Sequence, residues 1–368
     1  MIGFGDQDKI LFIPGPTPVH RRILKALATP TISHTSAEFA GIFRSVVERL
    51  SQIMDNEDGR TFVFSGSGTL AQEAAITNFV QPGQRLLLAS NGFFGDRFAQ
   101  IAEAFDVEVI HLRAPWGRFI TPDQLEEAAR SSVPDVVVLT HVETSTGAQA
   151  PLEELLGRLT DTRPLVIVDG VCALGGIPEP MSKLGIDVLI SGSQKALGVP
   201  PGLSIIGVSR RGWEVCEAGQ SLPRYYADLR RWAPVMERPE TYFSTHPINL
   251  IYGLQAALDI ILEEGLEQRF ERHTRLAQRI REGLLELGFS LFTDAAVLAP
   301  TLTVVTTPDG VTASGFRRRL SEEGIVAAAG IQDAPDRVLR FGHMGNIGEL
   351  EIAAALDACC RALRGARE

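Results

Sequence analysis

The stretch "DVLISGSQKALGVPPG", residues 187–202, decides how this chain is read. An apolar run, Val188-Leu189-Ile190, opens into small residues and then one lysine, Lys195. Of 35 basic residues only four are lysines: Lys9, Lys25, Lys183 and Lys195. A chain that otherwise prefers arginine therefore places a primary amine at the end of a strand. Guanidinium stays charged at any working pH, whereas an amine loses its proton when desolvated and becomes a nucleophile. The plain alternative is a solvated surface lysine, and the arginine bias weighs against it.

Outward from this stretch, short apolar runs alternate with amphipathic ones. "RTFVFSG", "QRLLLAS", "VEVIHL", "DVVVLTH" and "PLVIVDG" precede it as strands, each but the last followed by a helical pattern, and "LSIIGVS" follows the lysine loop. Continuous β-branched runs between helices predict a mostly parallel sheet covered on both faces. Residues 221–250 are rich in Pro, Arg and aromatics and have no clean period. A long helix is expected from near Asn249 to about Glu286, broken around Gly265. "TLTVVTTP", "SGFRRRLSEEG", "VLRFGH" and "IGELEIAAALDACCRALRG" then alternate strand and helix. The expected division is an N-terminal segment (1–20), a large α/β domain (21–250) and a smaller C-terminal α/β domain (251–368).

Composition excludes several classes. The net charge of −10 argues against nucleic acid, which needs clustered cations. No apolar stretch approaches the roughly 18 residues of a spanning helix, and "MIGFGDQDKILF" does not read as a signal peptide. Cys172, Cys216, Cys359 and Cys360 form no CxxC pair, so free buried thiols in a cytoplasmic protein are expected. The seven histidines show no metal-ligand spacing. His34, His141 and His343 lie near the motifs below but read as packed or solvated residues. No G-x-S-x-G elbow is present.

In open α/β sheets, ligands sit at the carboxyl ends of strands. After "TFVF" comes Ser65-Gly66-Ser67-Gly68-Thr69, entering a helix. Small residues there let backbone N–H groups close on a phosphate. "GSGTLA" also fits a dinucleotide fingerprint, but the next strand ends in Ser90-Asn91 with no acid for a ribose. After "PLVIV" comes Asp169, which is costly at the end of an apolar strand unless it meets a partner. Lys195 follows 26 residues later. A phosphate, a nitrogen that wants a carboxylate and a carbonyl open to an amine together describe pyridoxal 5'-phosphate, bound to Lys195 as a Schiff base.

These residues resemble the class V aminotransferases of fold type I, in the alanine–glyoxylate and serine–pyruvate aminotransferase branch. The resemblance runs through "PGPTPV" (14–19), "SGSGT" (65–69), "NGFFGDR" (91–97), "HVETSTG" (141–147), "VDGVCALGG" (168–176), "SGSQKALGVPPG" (191–202) and "VLRFGHMG" (338–345). It implies a mostly parallel central sheet with helices on both faces plus the smaller domain. It implies that Ser67, Gly68, Thr69 and Gln194 meet the phosphate and that Phe94 stacks on the ring. It puts Thr144 near the phenolic oxygen and Asp169 at the ring nitrogen. Arg340, with Gly15 and Thr144, would bind the substrate carboxylate. Tyr242 and Thr245 would reach the cofactor of a partner subunit in a homodimer. Some members carry tryptophan at the place of Phe94 and histidine at that of Thr69, and Val142 stands where small or amide residues occur. The implied reaction is ping-pong transfer of an amino group from alanine or serine to glyoxylate or pyruvate, with small amino acids and 2-oxo acids as partners. The rivals are a 2-aminoethylphosphonate–pyruvate transaminase, a lyase or desulfurase of the same class, and a regulator without turnover.

Overall fold

A computed structural model describes residues 9–159, 163–220, 222–332 and 334–364. The chain opens with β1 (Ile10–Phe12), α1 (Arg21–Leu27) and α2 (Ala37–Ile53). Strands and helices then alternate: β2 (Arg60–Ser65), α3 (Gly68–Phe79), β3 (Arg85–Ser90), α4 (Phe93–Ala104), β4 (Glu108–Arg113), α5 (Pro122–Ser132) and β5 (Val136–Thr140). The alternation continues with α6 (Leu152–Gly157), β6 (Leu165–Asp169), α7 (Met181–Leu184), β7 (Val188–Gly192) and β8 (Leu203–Val208). Helices α8 (Arg210–Ala218), α9 (Leu229–Glu237), α10 (Ile248–Glu264) and α11 (Leu266–Glu286) follow. The last elements are β9 (Ser290–Leu291), β10 (Leu302–Thr306), α12 (Ala313–Glu322), β11 (Ile325–Ala329), β12 (Val338–Gly342) and α13 (Glu349–Arg364).

The seven-stranded sheet has the order β2-β8-β7-β6-β5-β3-β4. Only β8 runs against the rest, pairing antiparallel with both β2 and β7. Strands β5, β6 and β7 are buried at every position, which is why they read as unbroken apolar runs. The helices between them start where the sequence supplies caps. Thr121 caps α5 in a reciprocal box with Gln124, and Pro122 takes the first helical position. Ser67 caps α3 by accepting from the Leu70 N–H.

The second sheet, β1-β11-β12-β10-β9, is antiparallel apart from β1, which pairs parallel with β11. Its own core includes Phe12, Leu276, Phe316 and Phe341. Helix α10 buries Ile251, Leu254 and Leu258 in the core of the large sheet, so the packing changes hands at Gly265, between α10 and α11. A third apolar cluster, with Val142, Cys172, Ala196, Leu302 and Met344, joins the two sheets beside the lysine loop.

Candidate active site

The loops after β2, β3, β5, β6 and β7 meet at one end of the large sheet. They line a cavity of ≈ 340 Å³ that holds Ser67, Gly68, Thr69, Phe94, Thr144, Asp169, Gln194, Lys195 and Gly15. Asp169 ends β6, and its neighbour β7 leads three residues on to Lys195. The two residues singled out from the sequence therefore stand at the carboxyl ends of adjacent parallel strands, Asp169 as the last residue of β6 and Lys195 in the loop after β7.

Asp169 is 3% exposed. One carboxylate oxygen accepts from Gln72 Nε2 at 2.8 Å and the other from the Val171 N–H at 2.9 Å. Burial outweighs these bonds and pushes its pKa up to about 6, with Glu143 and Glu179 adding like charge. Asp169 is thus a carboxylate poised for a cationic N–H.

Lys195 is 7% exposed, and its Nζ donates to the carbonyl of Pro14. Burial holds the ammonium below its ordinary pKa; Arg340 pushes the same way, while Cys172, Asp169 and Glu143 oppose it. The loop crossing the amine tolerates no side chain. Gly15 has φ +135°, and a Cβ there would lie 2.7 Å from Lys195 Cδ. From below, the loop that carries Lys195 is gripped by Arg269, which is 1% exposed. Its guanidinium donates to the carbonyls of Ala196 and Gly175, each at 2.7 Å, and to Glu264 at 2.8 Å. Nothing in the local sequence at the start of α11 announces this role.

The Ser67–Thr69 turn sits at the N-terminus of α3. Thr69 Oγ1 accepts from Arg97 Nη1 at 2.9 Å. Phe94 lies in the first turn of α4, its ring centroid 6.0 Å from Lys195 Nζ. The backbone of that turn is fastened by Glu143, fully buried and absent from the residues proposed on sequence. One oxygen of Glu143 accepts from the Phe94 and Gly95 N–H groups at 3.0 and 2.9 Å. The other accepts from the Ser145 N–H at 2.9 Å and the Ser145 hydroxyl at 2.6 Å. Burial raises its pKa despite these four donors.

Arg340 comes from β12 of the second sheet. Its guanidinium donates to the carbonyls of Ala329 and Thr144, at 2.7 and 3.2 Å, and burial lowers its pKa to about 10. Tyr242 and Thr245 are not brought to this cavity. Tyr242 is exposed, with its hydroxyl 3.2 Å from that of Thr245. His141 pairs with Glu179 at 2.7 Å in the interior. His343 meets Thr303, its pKa lowered to about 3 by burial. All four cysteines are free.

The cavity fits a polar ligand with a cationic ring. Gln72 Oε1, Thr140 Oγ1 and Gln194 Oε1 all belong to residues lining it, are buried, and have no hydrogen-bond partner among the described residues. Asp169 has Gln72 and the Val171 N–H as its hydrogen-bond donors and no ion pair with a cation among the described residues, and the Ser67–Thr69 turn opens a helix N-terminus toward the same space. Among the described residues no group of three or more His, Cys, Asp or Glu could hold a metal ion, and no helix is long and apolar enough to cross a membrane.

The two-sheet frame, with a buried acid ending one strand and a buried amine in the loop after its neighbour, is that of a fold type I transferase. The chain belongs to the aminotransferase class-V family, which it matches over residues 19–343. It is 38% identical to an uncharacterised aminotransferase of Methanocaldococcus jannaschii, over 95% of this chain and 91% of that protein. It is 32% identical to the L-aspartate–glyoxylate aminotransferase of Paracoccus denitrificans, over 92% and 86%. The crystal structure of an alanine–glyoxylate aminotransferase from Nostoc sp. superposes with a TM-score of 0.93 at 32% identity, covering 97% of this chain and 96% of that one. The family and its fold are dependent on pyridoxal phosphate.

Proposed function

We propose that this aminotransferase uses pyridoxal 5'-phosphate to move the amino group of alanine or serine to glyoxylate or pyruvate. One observation carries the reading: a desolvated lysine amine and a desolvated carboxylate line the same cavity from the carboxyl ends of adjacent strands. When bound, the cofactor supplies a carbonyl for the amine and a ring that spreads carbanion charge. Lys195 holds the cofactor, and its Nζ, once released, accepts the substrate α-proton and returns it. Burial favours the neutral amine that this step needs. Asp169 keeps the ring nitrogen protonated.

Ser67, Gly68, Thr69 and Gln194 would hold the phosphate, Phe94 would cover the ring, and Thr144 would serve the phenolic oxygen. Arg340 binds the substrate carboxylate through its guanidinium fork, flanked by Gly15 and Thr144. In a homodimer, Tyr242 and Thr245 complete the partner's site. The free cysteines fit a cytoplasmic setting. Glyoxylate as acceptor is supported by the relatives from Paracoccus denitrificans and Nostoc, whose names both carry it.

A panel of alanine, serine, aspartate and 2-aminoethylphosphonate, each with glyoxylate and with pyruvate, tests the substrate assignment. Alanine or serine should give the highest kcat/KM. A tenfold preference for aspartate or the phosphonate would sink it. Lys195→Ala should abolish turnover with every pair.

A further inference from the structure

We infer that Arg97 supplies the counter-charge for the cofactor phosphate, an inference that rests on the function proposed above. The turn that would receive this group, Ser65-Gly66-Ser67-Gly68-Thr69, contains no cation. A phosphate ester bears close to two negative charges near neutral pH. The N-terminus of α3 offers about half a positive charge. Two cations near the cavity already have carbonyl partners: Lys195 donates to Pro14, and Arg340 to Ala329 and Thr144.

Arg97 stands in a different situation. It lines the same cavity, and its Nη1 donates to Thr69 Oγ1 at 2.9 Å, on the phosphate turn itself. Its guanidinium carbon lies 4.8 and 4.9 Å from the ring centroids of Phe93 and Phe94. Those two faces hold the side chain over the mouth of the turn. Among the described residues no carboxylate forms an ion pair with it. The adjacent Asp96 is engaged elsewhere, accepting from Ser90 at 2.6 Å and from Arg113 at 3.2 Å. A half-buried arginine, aimed by two aromatic rings at an uncharged anion cradle and left without an acid, is matched to a phosphate oxygen. The guanidinium can keep one N–H on Thr69 and offer its others to the anion. Thr69 thereby acts as the anchor for the cation as well as a ligand in its own right.

The test compares two ligands that differ only in the phosphate. Cofactor-free protein is titrated with pyridoxal 5'-phosphate and with pyridoxal, and binding is measured by equilibrium dialysis. In Arg97→Met, which keeps the apolar stem on the rings, affinity for pyridoxal 5'-phosphate should fall at least tenfold, and its salt dependence should flatten. Affinity for pyridoxal should stay within about twofold of the parent. Arg97→Lys, which keeps the charge, should lose less for the phosphorylated ligand and nothing for pyridoxal. Equal weakening toward both ligands would make Arg97 a support for Phe94 and overturn the inference, as would parent-like affinity for both. A parent protein that binds neither ligand would overturn the proposed function itself.

Discussion

Replacing Asp169 by asparagine should stabilise the cofactor-free protein while disabling the loaded enzyme. The folded carboxyl titrates at about 6 against an ordinary value of 3.8, chiefly because it is buried. Between those two values the folded chain holds a proton that the unfolded chain has released. Stability therefore falls as pH rises through that window and stays reduced above it. At about 1.4 kcal/mol per pKa unit, the gap corresponds to about 3 kcal/mol at pH 8 and to about 1 kcal/mol at pH 4.5.

Asparagine keeps the shape and carries no charge. Its carbonyl can accept from the Val171 N–H as Asp169 does. Its amide needs an acceptor, and a flip of Gln72 supplies one, since the buried Oε1 has no partner, but the flip gives up the 3.2 Å bond that Gln72 Nε2 donates to the Phe94 carbonyl and so offsets part of the gain. Urea unfolding of the cofactor-free parent and Asp169→Asn at pH 8 and pH 4.5 checks this. The variant should be more stable at pH 8 by up to about 3 kcal/mol, with the advantage shrinking toward about 1 kcal/mol at pH 4.5. Transaminase activity should fall by orders of magnitude. A variant less stable than the parent at pH 8, or an advantage independent of pH, would refute the reasoning.

Gly15→Ala should cut kcat at least tenfold with the fold intact by circular dichroism, because the added Cβ meets Lys195 Cδ at 2.7 Å in a backbone region that side chains rarely adopt; parent-like kcat would contradict the contact. Glu143→Gln leaves one of its N–H donors facing an amide NH₂, and should lower stability by about 1–3 kcal/mol, read as a drop in Tm. An unchanged Tm would show that the carboxylate does not clamp the Phe94 turn. Arg269→Met frees the carbonyls of Ala196 and Gly175 from a buried cation and should destabilise the protein by about 3 kcal/mol in urea, at the low end for a broken buried pair, since Glu264 keeps Arg272.

The large sheet was legible because a parallel strand buried on both faces must be apolar at nearly every position. In such runs a polar residue is conspicuous, as Asp169 is at the end of its strand, whereas Lys195 stands out as a rare lysine among small residues just after one. The break at Gly265 was legible for a similar local reason: its φ of +84° ends α10 where the helical period falters. Other features leave no local trace. The pairing of β1 with β11 joins segments more than 300 residues apart. Glu143 reads as one polar residue in a loop, and only the fold delivers the Phe94 and Gly95 amides to it from 49 and 48 positions away. Arg97 and Arg269 look like solvated arginines of amphipathic helices until their partners are known.

By itself the order of residues determined the alternation of strands and helices, the glycine turn at a helix start, and the choice of one amine and one acid at strand ends. These follow from burial patterns and backbone preferences within a few residues. Tertiary structure alone decided what surrounds those groups: the Pro14 carbonyl brought to Lys195 across 181 positions, the arginine under the loop, and the second sheet that delivers Arg340. The physical reason is that desolvation and hydrogen bonding depend on distance in space, which chain-remote segments set only once they pack.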